Sequence, residues 1–595
     1  MILSTHLRTS GDAAACPHRV LCGGTEAGAD PSDFDFHTHA WGTRGVERQS
    51  VENRPDEQPE QSAGARVADR PSAGGADTDE APTPRYTQRQ IIEVLIGLML
   101  AVLTSMLTNS IVGTALPTIV GELGGQDRLA WVASSALLTM TATTPIWGKL
   151  SDLWGRKLCF QIALVIFIVS SVAAGFAQDM TWLIVARLFQ GIGTGGLASL
   201  PQIILGDVVE PRERGRYSGF IGAVFGVSTV AGPLLGGFLV DSPLGWRWCF
   251  FITVPLAVVA FIVIQRLLRL PVRPRTGTRI DWWGATFIVG AASTVMLVLS
   301  LGGKSFEWNS APTYALIAAA IALTIGAIVS ERRAHDPILP PRLFRERTFV
   351  LSSLGSMAIG MGMFGVMIYF PQYLQIVKGM SPTASGLMTL PLVIGLLTAS
   401  ISSGIVVSRT GRWKIYPVVG MVLVGLGFYV LTLLEVDSSL VLVGFGVALI
   451  GLGIGLTMQI LILATQNALS RADLAAGTSA VTFFRNLGGA VGVSAFGAVM
   501  TNRLHDELAQ LAEKAERARA AAQAAGQEPP PLPSISDSAM GSPAIINSLP
   551  PAAHDAVITA FNSSMHTVFL LGLPIAVVGF VTVLFFRQIP LRSGR

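Results

Sequence analysis

GKLSDLWGRK, Gly148 to Lys157, sits between two long apolar runs, Leu129–Trp147 and Leu158–Phe176. Four of its ten residues are charged, in a chain where only 13% are. Gly148 and Gly155 are expected to permit a tight turn between helix ends, with Asp152 near the start of the next helix beside Arg156 and Lys157. A carboxylate so placed joins helices by charge-assisted hydrogen bonds that break when the helices rock. The spacing returns later in the chain. Gly404, Gly411 and Arg412 stand as Gly148, Gly155 and Arg156 do, with Ser408 in place of the acid. One loop carried at two equivalent places predicts a chain built from repeated halves.

The surroundings of this loop decide the class. Half of the 595 residues are hydrophobic, and a soluble domain of this length needs more charge to cover its surface. A helix crossing the ~30 Å hydrocarbon core takes about 20 apolar residues. Fourteen such runs follow one another between Ile91 and Phe586. The expected fold class is therefore all-α and integral to a membrane. Cys16, Cys22, Cys159 and Cys249 have neither disulfide-framework nor metal spacing. No phosphate loop, metal-ligand spacing or Ser/His/Asp set stands out, which speaks against an enzyme.

Loop charge orients the runs. With the N-terminus inside, the six short inside loops carry 20 Lys and Arg, and the six short outside loops only Arg128, Arg247, Lys304 and Lys378. Both termini are thus expected in the cytoplasm, with the chain in the inner (plasma) membrane. Residues 1–88 are polar and small, bury too little apolar surface to offset chain entropy, and are expected to be disordered. His37 and His39 read there as solvated side chains rather than a metal pair. The thirteenth run, Ala475–Met500, and the last, Thr567–Phe586, are joined by an outside segment, 501–566. Within it His505 to Ala525 should be helical and Ala552 to Phe561 a short amphipathic helix. A lid at the outer leaflet and a solvated excursion both stay open.

The fourth run carries RLFQGIGTGG (187–196) and the fifth GPLLGG (232–237). Small residues at this density let helix backbones approach closely, and Pro233 weakens the hydrogen-bond ladder. Three patterns occur in order: G-x3-D-x2-G-R-K (Gly148, Asp152, Gly155, Arg156, Lys157), R-x2-Q-G (Arg187, Gln190, Gly191) and G-P-x2-G-G (Gly232, Pro233, Gly236, Gly237). Together they resemble the major facilitator superfamily. GWRWCFFITVP at 245–255, YFPQYLQIVKGMSPTASG at 369–386 and TFFRNLGGAVG at 482–492 are similar to its 14-helix drug:proton antiporter branch, the EmrB/QacA type. The resemblance spans residues 91 to 588. It implies two six-helix bundles, 89–270 and 348–595, around a central cavity, with helices 7 and 8 inserted within 271–347. It also implies rocker-switch exchange of substrate against protons.

One departure matters. That branch usually carries an acid in helix 1, in a pattern like L-D-x-T-I-V-N-x-A-L-P. Here Leu107 to Pro117 reads LTNSIVGTALP, so Thr108 stands at the acid and Gly113 at the asparagine. Proton exchange needs a group that titrates at depth. The runs hold three formal charges, Glu93, Arg187 and Arg485, and no histidine. A displaced acid is sought in Glu93, Asp207, Asp281 or Asp152. Arg187 is expected near the height of Thr108, satisfied by Asn109, Gln190 or backbone carbonyls, or else by an anionic substrate or a lipid headgroup. Arg485, with Gln459 and Gln466, either bonds between helices or faces the cavity. Thr108, Asn109, Phe364, Met458 and Phe483 complete the candidate lining.

The expected function is export of drugs or other amphipathic small molecules by alternating access, coupled to protons. The alternative is export or flipping of an endogenous lipid, siderophore or metabolite with atypical or no coupling. Expected partners are membrane lipids, a small amphipathic substrate and protons, not nucleic acid. The chain is expected to act as a monomer, with no cofactor and no metal.

Overall fold

The computed structural model describes residues 87–123, 128–210, 212–268, 281–302, 307–524, 546 and 550–591. The chain divides into two units, Met1–Ala81 and Pro82–Arg595, and the second is the one described. The expectations for 1–88 and for His37 and His39 lie outside the described residues, save for Thr87 and Gln88.

Among the described residues fourteen long helices follow one another. The first eight are α1 (Gln88–Leu123), α2 (Leu129–Trp154), α3 (Arg156–Gly175), α4 (Met180–Val208), α5 (Arg214–Asp241), α6 (Trp248–Leu267, with a turn at Ile252), α7 (Trp282–Leu301) and α8 (Ala311–Arg333). Then come α9 (Arg347–Ile376), α10 (Thr383–Thr410, broken after Leu387), α11 (Ile415–Thr432), α12 (Leu440–Ala468), α13 (Leu474–Ala524) and α14 (Pro551–Leu584). Thirteen of them are long and apolar enough to cross a membrane. The exception, α2, has the length, 26 residues, but is diluted by Ser134, Ser135, Thr139, Thr141, Thr143 and Thr144. Two of its hydroxyls turn back onto their own helix, Thr143 donating to the Thr139 carbonyl at 2.7 Å and Thr144 to the Met140 carbonyl at 2.6 Å, and Thr139 donates to the Leu188 carbonyl of α4 at 2.7 Å. Hydroxyls satisfied in this way are tolerated where water is absent.

The packing repeats. α1 lies against α5 and α6, α2 against α4, and α3 against α4 and α6. Eight helices on, α9 lies against α13 and α14, α10 against α12, and α11 against α12 and α14. These are two six-helix bundles of one connectivity. The inserted helices α7 and α8 pair with each other, and α7 leans on α2 and α13. Close approach within each bundle depends on missing side chains at equivalent places. A Cβ on Gly195 of α4 would stand 2.7 Å from the Met140 carbonyl of α2, and one on Gly455 of α12 2.5 Å from the Leu396 carbonyl of α10.

The loops after even-numbered helices share one face. There Arg342 reaches Asp473 at 2.7 Å, Lys157 the Gln265 carbonyl at 2.7 Å, and Trp413 Nε1 the Ile589 carbonyl at 2.8 Å. This basic face is the one on which the short loops concentrate Lys and Arg. On the opposite face Glu122 accepts from Trp246 Nε1 at 2.8 Å and from Arg247. The bond from Arg247 holds the Glu122 carboxyl below its ordinary value. Lys378 donates to the Val436 and Ser438 carbonyls at 2.5 and 2.7 Å.

Three expectations change. Gly148 is not in the turn, because α2 runs on to Trp154. Gly155 alone reverses the chain, at φ 92°, while Gly148 lies where α2 meets Ser479 and Ala475 of α13. Residues 505–524 are helical as expected, as a continuation of α13, and Ala552–Phe561 is not a short separate helix but the start of α14. Neither stretch contains a residue that breaks a helix: 501–524 has no Gly or Pro, and 551–566 has Pro only at its first position. The remainder of 501–566, apart from Ile546 and Pro550, lies outside the described residues. α14 therefore takes in His554 and His566. The latter sits 3.3 Å from Asn562 and contacts the Leu434 carbonyl at the opposite face, so histidine does occur within a spanning helix.

Candidate functional site

The turn at Gly155 brings Arg156 back over the end of α2. Its guanidinium stands 2.7 Å from Asp152 of α2 and 2.7 Å from Asp207 of α4, and donates to Ser151 at 2.8 Å. One largely shielded cation thus ties three helices at the basic face by donating charge-assisted bonds to two of them from the start of α3. Lys157 adds α6 through the Gln265 carbonyl. The second copy of the loop has no acid. Its Gly411 takes φ 70°, and its carbonyl accepts from Gln588 at 3.1 Å.

The leading glycines of the two loops face across the molecule. Gly148 lies against α13, and Gly404 of α10 lies against the Gly215 backbone of α5. Deeper in, Gln202 of α4 donates to Gln459 of α12 at 2.9 Å, and Gln466 donates to the Gln202 carbonyl at 3.0 Å and to Thr478 at 3.3 Å. At this level the bundles are joined by neutral amides and by backbone approaching backbone.

Arg187 occupies the half of α4 nearer the opposite face and is 3% exposed. It donates to Gln190 Oε1 at 2.7 Å, to Asn109 Oδ1 at 3.4 Å and to the Val132 carbonyl at 3.4 Å, and Gln190 donates onward to Ser171 at 2.7 Å. Amides and a carbonyl from α1, α2 and α4 meet this cation; among the described residues no carboxylate bonds to it. Thr108 is buried with its hydroxyl on the Thr104 carbonyl at 2.8 Å. Gly191 packs on Thr139 and Ala136 of α2, and Gly232 and Gly236 pack on Ser110, Ile111 and Thr114 of α1. A Cβ on Gly113 or Gly237 would meet nothing within 4 Å. Pro233 lies inside α5 between these contacts.

Arg485 of α13 is 4% exposed and stands over the ring of Phe225 of α5, 5.5 Å from the centroid. Its Nε has no hydrogen-bond partner. The remaining candidates scatter. Met458 is buried in an apolar cluster, Phe483 in another with Ala142 and Ala292, and Phe364 rests on Gly489. Glu93 pairs with Arg89 at 2.9 Å, near the start of α1. Asp281 caps α7, accepting from the Gly284 amide at 2.9 Å and the Ser330 hydroxyl at 3.2 Å. Beside it Glu331 is buried, with one oxygen on the Leu339 amide at 2.8 Å and the other without a partner. Among the described residues no group of three or more His, Cys, Asp or Glu stands together as a metal site.

Sequence reasoning missed Gln202, Phe225 and Glu331. Gln202 carried the signal that singled out Gln459, an amide in an apolar helix. Glu331 adjoins Arg332 and Arg333 and reads as one more loop charge. Phe225 is an ordinary apolar residue until the fold sets it under a cation.

Spanning helices whose contacts repeat eight helices on, in two bundles joined without an ion pair between Gly148 and Ser479, Gly404 and Gly215, and Gln202 and Gln459, define a polytopic membrane transporter. The chain belongs to the Major Facilitator Superfamily, whose family model matches residues 98–493. It is 39% identical over 499 residues to the uncharacterized MFS-type transporter Rv1877 of Mycobacterium tuberculosis, covering 84% of this chain and 70% of that protein. It is 37% identical over 514 residues to the multidrug transporter protein MdtP of Bacillus subtilis, covering 84% and 94%. Among solved structures, a double-tryptophan mutant of XylE superposes with a TM-score of 0.55 at 13% identity, covering 86% of this chain and 98% of the other. That likeness speaks for the fold alone.

Proposed function

We propose that this chain exports amphipathic small molecules, drugs among them, across the plasma membrane by alternating access in exchange for protons. On this reading the basic face is cytoplasmic, with both termini there, since inside loops hold the excess of Lys and Arg. The moving bodies are 89–270 and 348–595, joined through 271–347, and the chain acts as a monomer. The observation that carries the reading is the junction between bundles: Gly148 on Ser479, Gly404 on Gly215, and Gln202 on Gln459. These three contacts separate without breaking an ion pair, so they add little to the cost of rocking. The relative named a multidrug transporter supports the class of cargo.

Proton exchange is assigned to the Arg156 node. Protonation of Asp207 or Asp152 removes one of the two anions on the guanidinium and loosens α2, α3 and α4 from one another. The test is movement of a fluorescent cationic dye by reconstituted protein, with and without an imposed pH gradient. Uptake that collapses with the gradient, and that Asp207→Asn uncouples, is the expected result. No movement of any dye would overturn multidrug export.

A second reading has its own observation. Thr108 carries a hydroxyl bonded to its own helix, and no carboxylate among the described residues stands at mid-depth. Export or flipping of an endogenous lipid, siderophore or metabolite without proton coupling needs none. Dye movement that ignores the gradient selects this reading.

A further inference from the structure

Arg485 is the buried cation that the fold leaves unanswered. It lies eleven residues into α13, about 16 Å from the basic end at 1.5 Å per residue. Phe225 lies equally far along α5, in the other bundle. Among the described residues the guanidinium has no ion-pair or hydrogen-bond partner, and its Cζ stands 5.5 Å from the centroid of the Phe225 ring. Arg187 shows the contrast, since a guanidinium with no anionic cargo to meet can be satisfied by amides and carbonyls from the same bundle.

An aromatic ring beneath a guanidinium supplies no hydrogen-bond acceptor in the plane of its N–H groups, so the fork is left for another partner. That fork matches the two oxygens of a carboxylate, or two of a sulfonate or phosphate. A further donor is near. A Cβ on Gly222, one turn before Phe225, would stand 3.1 Å from Gln459 Nε2, and Gln459 uses only its oxygen, for Gln202. The apolar surroundings are equally suited to the rest of an amphiphile: Met458 and Phe225 belong to one buried cluster, with Phe364 packed against it.

We propose that Arg485 is the anion-recognising group of the translocation path: an amphiphile bearing a carboxylate, sulfonate or phosphate sets that group on the Arg485 fork and its apolar body along Phe225. The proposal rests on the reading of the chain as an exporter and names the charge of its cargo. Because Arg485 and Phe225 belong to different bundles, a bound anion sits where rocking separates them. Its source is either a free amphipathic acid or the headgroup of a membrane lipid, which share this chemistry.

The test uses the full chain, purified in detergent and reconstituted in vesicles. The probe is 11-(dansylamino)undecanoic acid, and its methyl ester is the control with the same apolar body and no charge. Binding in detergent should favour the acid by roughly tenfold or more. Arg485→Gln should erase that preference, and Arg485→Lys, which keeps the charge and loses the fork, should fall between. Equal binding of acid and ester by the wild type, or an unchanged preference in Arg485→Gln at native elution volume, would overturn the proposal. Movement of fluorescent phosphatidylglycerol between leaflets by wild type but not by Arg485→Gln assigns the anion to a lipid; movement of the free acid alone assigns it to a soluble amphiphile. Failure of a cationic dye to move while the acid preference stands counts against multidrug export and leaves the anion site in place.

Discussion

A guanidinium at depth in a membrane protein costs several kcal/mol unless its donors are used. Arg187 has three acceptors, and the shortest bond is to Gln190, itself held by Ser171. Gln190→Leu would strip the cation of its best partner and leave two contacts at 3.4 Å. The expected loss is about 1–3 kcal/mol, read as a lower thermal midpoint in detergent; an unchanged midpoint would show that the long contacts suffice. Glu122 gives a prediction in pH. Its ordinary value is 4.5, and the bond from Arg247 holds the folded carboxyl lower. The pair therefore contributes fully above the ordinary value and is lost as pH falls through the folded one. Glu122 is half exposed, so the contribution is small. Between about pH 7 and about pH 3 the wild-type midpoint should drop more than that of Glu122→Gln. Parallel drops would mean that the pair is idle.

At the scale of elements, helix pairs approach as closely as their smallest residues allow. Gly195→Val and Gly455→Val each drive a side chain into a neighbouring backbone carbonyl that cannot move aside, and should cost about 1–3 kcal/mol or prevent insertion. Gly237→Ala, with nothing within 4 Å, should leave expression and melting unchanged. A wild-type midpoint for Gly195→Val would refute the account of α2–α4 packing. The helix ends were less legible than the helices. Hydropathy marks where a run meets lipid, not where its hydrogen-bond ladder stops. Thus α2 passes Gly148, and α13 and α14 continue well beyond their apolar parts. Gly148 was visible as a glycine, but its use, contact with Ser479, belongs to a helix distant in sequence.

At the scale of the whole molecule, the Arg156 node ties one bundle internally by ion pairs, while amides, close backbones and the Arg485–Phe225 contact join it to the other. Asp152→Asn should slow dye transport several-fold while the protein still inserts, because the guanidinium keeps only Asp207; wild-type turnover would refute a gating role. Removing residues 1–80 leaves α1, which starts at Gln88, untouched, and insertion and transport should persist. Loss of transport by a normally inserted truncation would give that segment a function.

Class, helix number and the two-fold repeat were determined by the sequence alone. In lipid each spanning segment must satisfy its own backbone, so twenty apolar residues in a row have one outcome, whatever surrounds them. The repeated loop was readable for the same reason, as local spacing within a few residues. The answer to each polar side chain was decided only by the tertiary structure. Arg187 found Asn109 and Gln190, Gln459 found Gln202, and Arg485 found a ring and, among the described residues, no acceptor. These outcomes depend on the rotation of each helix and on which bundle it meets. Both are set by packing between segments hundreds of residues apart, for example 257 between Gln202 and Gln459.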